Sequence, residues 1–153
     1  MVRGESKVTA LLLALAVGFV GGMAVCFQGP LASLMSEKIG SLESAFVIHL
    51  GGTVAAGMLL LFVSGGGLPQ WRSVPWYALA SGVLGLFLIF ALSYTIPRIG
   101  VTGTYAVIIS AQLLLGSIFD HFGVFGVEVR PFDLDRALAI GVLGLGVWLV
   151  SSR

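Results

Sequence analysis

Charge is what this sequence has least of. Of its 153 residues only 10% are Asp, Glu, Lys or Arg, while 58% are hydrophobic; soluble domains are about one quarter charged. That leaves too little polar surface to coat a water-soluble globule. The mean hydropathy of +1.06 points to lipid as the medium. The formal net charge of +1 excludes both the basic field that holds nucleic acid and an acidic tail. Cysteine is nearly missing: with Cys26 alone, no internal disulfide can form. Its apolar surroundings suit a packed thiol. Metal-ligand spacing of cysteine and histidine is absent, as is the phosphate loop GxxxxGK[ST]. The GGG at 65–67 lacks the strand and helix that flank it in a nucleotide fold. Ser117 beside Asp120-His121 makes no triad on spacing alone, because adjacent helical residues point about 100° apart. The expectation is a membrane protein with no cofactor and no enzymatic function.

What the chain has instead is long apolar runs. About 20 such residues cross the hydrocarbon core, and five segments qualify: 8–35, 44–64, 75–95, 101–122 and 134–151. Backbone groups in lipid must bond within their own segment, which selects helices; the alternation of barrel strands is missing. The start, MVRGESKVTALLLALAVGF, has the basic flank of a secretory signal, but its apolar run exceeds the usual 7–15 residues, so it reads as a retained first helix. The short links are SEKIGSLE, GGGLPQWRSV, IPRIG and GVFGVEVRPFD. Trp71 and Trp76 suit the lipid–water boundary. The expected fold is all-α: a single membrane domain over 1–153, built as a five-transmembrane-helix bundle.

Glycine, at 22 residues, is the second abundance. It clusters inside the spans, as at Gly18, Gly21 and Gly22, or Gly141, Gly144 and Gly146. Small residues three or four apart let helix backbones approach closely in lipid. This signal speaks for tight packing and is silent on activity.

The few polar residues inside the spans carry the functional information. Gln112, Gly116 and Asp120 are four apart and share one helical stripe, which Tyr105 extends; Ser117 and His121 form the adjacent stripe. Facing lipid, such a stripe would be costly, so it should face the bundle interior or a wet cavity. The structural alternatives are a buried inter-helix hydrogen bond for Gln112, worth about 0.6–2 kcal/mol, and an interfacial Asp120 paired with Arg98 or Arg130. Glu43, in the first turn of its segment, suits the helix dipole, or else marks a cavity mouth. His49 lies about 9 Å further along, off the face of Glu43 but on that of Thr53. It is a candidate titrating group or a satisfied core histidine. Gln28 precedes Gly29-Pro30, where proline frees a carbonyl and bends the helix.

These residues resemble the YdcZ family of inner-membrane exporters, the half-size branch of the drug/metabolite transporter superfamily, from about Val8 to Val150. The most specific element is AQLLLGSIFDHFGVFG, which looks like that family's GQ…DHFGLFG motif. Supporting elements are Gln28 with Gly40-Ser41, GGTVA at 51–55, SGVLG at 81–85 and RALAIGVLGLGVWLV. Three departures stand out. Ala32 replaces an Asn that is common in the family, Ala111 replaces the Gly before Gln112, and His49 stands where relatives carry an apolar or aromatic residue. The resemblance therefore implies no role for His49.

The resemblance implies one half of an inverted-repeat transporter in the bacterial inner membrane, with its substrate near mid-membrane between halves. The partner would be a second copy, antiparallel, or a half-size paralogue. The small-molecule path is assigned to Gln28, Tyr105, Gln112 and Gly116, and protonation to Glu43, His49, Asp120 and His121. The rival is a non-transporting scaffold or accessory subunit whose polar residues only join helices. Arg3, Lys7, Arg72, Arg130 and Arg136 on one side face Lys38, Arg98 and Arg153 on the other, a weak bias toward a cytoplasmic N-terminus. If copies pair antiparallel, topology reporters on both termini should each read both sides of the membrane; one clean orientation excludes such a homomer.

Overall fold

The computed structural model describes residues 2–62 and 67–151, with side chains from 8 to 149 outside the gap. The described residues form helices and turns only. Helix α1 is Val2–Ile39 and α2 is Ser41–Phe62. A 3-10 turn at Leu68–Ser73 leads to the short α3, Trp76–Leu79. Then come the 41-residue α4, Gly82–Phe122, and α5, Leu134–Ser151. The end of the second segment expected from sequence, at 63–64, lies outside the described residues.

Three of these stretches are long and apolar enough to cross a membrane: Val8–Ile39, Ser41–Phe62 and Trp76–Phe122, with mean hydropathies of 2.4, 2.0 and 2.1. Their apolar residues lie on all sides, as expected of helices whose solvent is lipid. The third stretch takes in two of the five segments expected from sequence. The reason lies in the link IPRIG, which holds helical geometry through Pro97 and departs from it only at Gly100 (φ 73, ψ 171). The helical runs before and after Gly100 measure about 27 and 33 Å at 1.5 Å per residue, each close to the thickness of one hydrocarbon core. Likewise α1 continues past Met35 through Ser36, Glu37 and Lys38, and stops only where Gly40 takes φ 99.

The chain divides into two compact units, residues 1–94 and 95–153. In the first, α1 and α2 pack through their smallest residues. Ala32, Ser33, Ser44 and Ala45 are all buried, and Ser44 Oγ donates to the Ala32 carbonyl at 3.0 Å. With so little side chain between them, the helix backbones come close enough for one hydroxyl to bridge them. Ile89 and Leu92 complete the buried apolar set of this unit. At the expected boundary, Trp71, Trp76 and Tyr77 are exposed and the Arg72 guanidinium lies 5.7 Å from the Trp71 ring centre, an arrangement suited to the headgroup layer.

In the second unit the 123–133 connection is tied at both ends. Gly123 (φ 63) closes α4, and a Cβ there would come within 2.8 Å of Val129 Cγ2. Asp133 caps α5, its Oδ1 accepting the Arg136 N–H at 2.9 Å.

Ser44→Ala removes the side-chain hydrogen bond that joins α2 to α1 while keeping the packing. It should lower stability by about 0.5–2 kcal/mol, measured by reversible unfolding in mixed micelles.

Candidate functional site

The polar side chains gather in two places, one in each unit. In the second unit, the α4 stripe opens on a recess of about 350 Å³. Gln112, Gly116 and Asp120 line it from α4, and Arg136, Ala139 and Leu143 from α5. A Cβ at Gly116 would meet nothing within 4 Å, so the space between the amide and the carboxylate is open. Tyr105 is half-buried and is not among the residues lining this recess.

Asp120 Oδ2 pairs with Arg136 Nη1 at 3.2 Å, the side chains being 43% and 27% exposed. Neither Arg98 nor Arg130, the partners weighed from sequence, takes this place. Arg130 instead pairs with Glu128 at 3.0 Å in the exposed loop. That hydrogen bond, then the Glu128 charge, raises the Arg130 guanidinium above its ordinary pKa. Arg136 was missed because it lies sixteen residues from Asp120, beyond any helical spacing. The available signal was Asp133: as N-cap it fixes where α5 begins, and so which way Arg136 projects. Arg136 also donates to the Arg130 carbonyl at 3.3 Å, and the Arg130 N–H donates to the Asp120 carbonyl at 2.8 Å.

His121 belongs to this clasp. Its Nδ1 accepts the Phe132 N–H at 3.0 Å, so that nitrogen carries no proton and the ring is the Nε2–H tautomer. On its other side His121 lines a second recess of about 370 Å³ with Leu114, Ser117 and Phe132. Ser117 Oγ is turned back to the Leu113 carbonyl at 2.8 Å. The DHFGVFG motif thus builds a compact corner: Asp120 and His121 bind the returning loop, Gly123 ends the helix, and Phe125 meets Phe119 edge to face at 5.6 Å.

In the first unit, Gln28 of α1 and His49 and Thr53 of α2 line a recess of about 420 Å³, closed on another side by Gly85 and Ile89. His49 Nδ1 lies 2.7 Å from the Ala45 carbonyl and Thr53 Oγ1 donates to the His49 carbonyl at 2.8 Å. A carbonyl only accepts, so Nδ1 carries the proton, the opposite tautomer to that of His121. His49 also lines a neighbouring recess of about 430 Å³ together with Glu43. Two residues on different helical faces therefore border one space, which rotation angle alone could not show. The Glu43 carboxylate folds back over Gly40 at the start of α2, in the place where an acidic side chain meets the positive end of a helix.

Fold and site together define an all-α integral membrane protein with small polar recesses set among apolar helices. Residues 13–149 match the family described as "Putative inner membrane exporter, YdcZ". The chain is 31% identical over 152 residues to Inner membrane protein YdcZ of Escherichia coli (strain K12), covering 97% of each chain. This chain belongs to the YdcZ family and is an inner-membrane protein. No solved structure matches it.

A double-mutant cycle on Asp120→Asn and Arg136→Gln should return a coupling below about 1 kcal/mol, since both groups are partly exposed. Unfolding in micelles at two salt concentrations measures it, with the coupling weaker in high salt.

Proposed function

We propose that the chain is one half of a small-solute exporter, acting as a dimer of half-size subunits and coupled to proton exchange. The observation that carries this reading is the α4 stripe. Gln112, Gly116 and Asp120 border one open recess whose volume lies in the range of small-molecule pockets, in a chain that belongs to an exporter family. Ionisable groups inside a membrane are costly and usually mark a transport path. Their placement against Arg136 supplies a charge pair that a solute or a proton can disturb.

The half-size reading is supported by how little this chain buries by itself. Among the described residues the buried apolar set is Ala32, Ala45, Ile89 and Leu92. A second copy, or a half-size paralogue, would enclose the recesses that one chain leaves open. Gln28, His49 and Glu43 supply a second polar group, within the first unit.

The test is flux of metabolites and drug-like solutes from proteoliposomes under an imposed pH gradient. Asp120→Asn should reduce gradient-driven flux at least about tenfold, the effect of roughly 1.4 kcal/mol on a barrier, and Gln112→Leu should reduce flux without loss of the assembled protein. Unchanged flux in Asp120→Asn and Glu43→Gln removes the proton role. Loss of assembly in Gln112→Leu, with no solute moved by the intact protein, favours the scaffold.

A further inference from the structure

The ion pair that borders the α4–α5 recess is neutral as a whole and open at its edges. Arg136 is engaged through Nη1 alone, which lies 3.2 Å from Asp120 Oδ2 and donates to the Arg130 carbonyl at 3.3 Å. Its Nε and Nη2 carry three of the five N–H donors of a guanidinium, and among the described residues they meet no acceptor. Asp120 Oδ1 meets no donor there either. Both side chains line the recess and both are partly exposed. Neither depends on the other for its place. The Asp133 cap fixes the first turn of α5, and with it Arg136, while the Arg130 N–H holds the Asp120 carbonyl at 2.8 Å. The two charges are set in advance, which lowers the ordering cost that a ligand must meet.

Asp120 and Arg136 are the two charged residues in the lining of this recess. The Glu128–Arg130 pair is neutral in itself and belongs to the exposed loop, outside that lining. A solute with a single charge is drawn by one member of the Asp120–Arg136 pair and repelled by the other immediately beside it. The two effects largely cancel, because Coulomb energy falls only as the inverse of distance. A solute with one charge of each sign gains from both members, and it brings no net charge into a site set among apolar helices. An anionic oxygen group suits the free edge of the guanidinium, which can hold two oxygens at once; an ammonium suits Asp120 Oδ1. The walls beyond the pair include Leu113, Ala139, Ile140 and Leu143, and a Cβ at Gly116 would meet nothing within 4 Å. Gln112 is the far wall, about 12 Å from Asp120 along α4. There is room for an apolar body between the charged end and the amide.

We propose that the recess between Gln112, Gly116, Asp120 and Arg136 binds a small zwitterion, its anionic group on Arg136, its ammonium on Asp120 and an apolar body over Gly116. This rests on the exporter reading for its meaning in the cell, and supplies that reading with a substrate class. The protein's own pair stays formed; the solute adds a second pair across the atoms the first leaves free. Two sources carry this chemistry: a free amino-acid-like solute, and the headgroup of phosphatidylethanolamine.

Calorimetric titration of the full chain in phosphatidylglycerol nanodiscs, whose lipid has no ammonium, tests this. Three probes share one apolar body: free phenylalanine carries both charges, phenethylamine the cation alone and hydrocinnamate the anion alone. Phenylalanine should bind at least about tenfold tighter than either, the scale of one hydrogen bond to a charged group. Removing one protein charge should change which probe is preferred, an effect that a purely structural role would not produce. Asp120→Asn should favour hydrocinnamate over phenethylamine, and Arg136→Gln the reverse. Gly116→Leu fills the recess and leaves the pair intact, and should weaken phenylalanine binding by a similar factor. With phosphatidylethanolamine added to the nanodiscs, an unchanged affinity for phenylalanine supports the free solute as occupant, and a competitive loss supports the lipid headgroup. No binding of phenylalanine, equal affinities for the three probes, or single-charge variants that keep the original preference overturn the proposal. Selective binding without flux would remove export and leave the site standing; flux without this selectivity would remove the site and leave export.

Discussion

In hydrocarbon a polar group finds its hydrogen-bond partner inside the protein or goes without, and that constraint organises this molecule. Backbone groups obey it by forming helices. Several hydroxyls obey it by turning back on the chain: Ser36 Oγ to the Ser33 carbonyl, Thr53 Oγ1 to that of His49, Ser117 Oγ to that of Leu113. Ser44 turns across to α1 instead, and is the place where this economy of short bonds becomes a tertiary contact. It can do so because Ala32, Ser33 and Ala45 keep the two backbones close.

The same constraint separates groups that are satisfied from groups that are waiting. Asp120 and His121 are satisfied: one is paired with Arg136, the other accepts the Phe132 N–H, and both hold the return from α4 to α5. The hydroxyls of Ser93, Thr104 and Ser110 are not: among the described residues they are buried with no hydrogen-bond partner. The two histidines illustrate how neighbours set chemistry. A carbonyl beside Nδ1 forces the proton onto that nitrogen in His49; an amide N–H beside Nδ1 forces it off in His121. One residue type thus takes opposite tautomers in the two units.

The family's most recognisable segment also has a physical reading. In DHFGVFG the polar pair grips the loop, Gly123 supplies a left-handed turn that a side chain at that point could not share with Val129, and Phe125 closes on Phe119. A segment that must end a membrane helix, reverse, and deliver Arg136 back to Asp120 has little freedom in composition. The recess beside it inherits its shape from that corner.

Composition and spacing by themselves determined the medium, the helical class and the Gln112–Gly116–Asp120 stripe, because hydropathy is a sum over residues and a helical face repeats with a fixed period. They also pointed to Gln28, Glu43 and His49 as polar groups in need of an explanation. Only the tertiary structure decided who meets whom. The partner of Asp120 is sixteen residues away, fixed by where Asp133 starts α5. The tautomer of His49 depends on one carbonyl, and the close approach of its Nε2 to the backbone needs glycine at 85, thirty-six residues further along the chain. Contacts of that range follow from how the chain turns between helices, as at Gly123 between Asp120 and Arg136, and no periodicity within one helix encodes them.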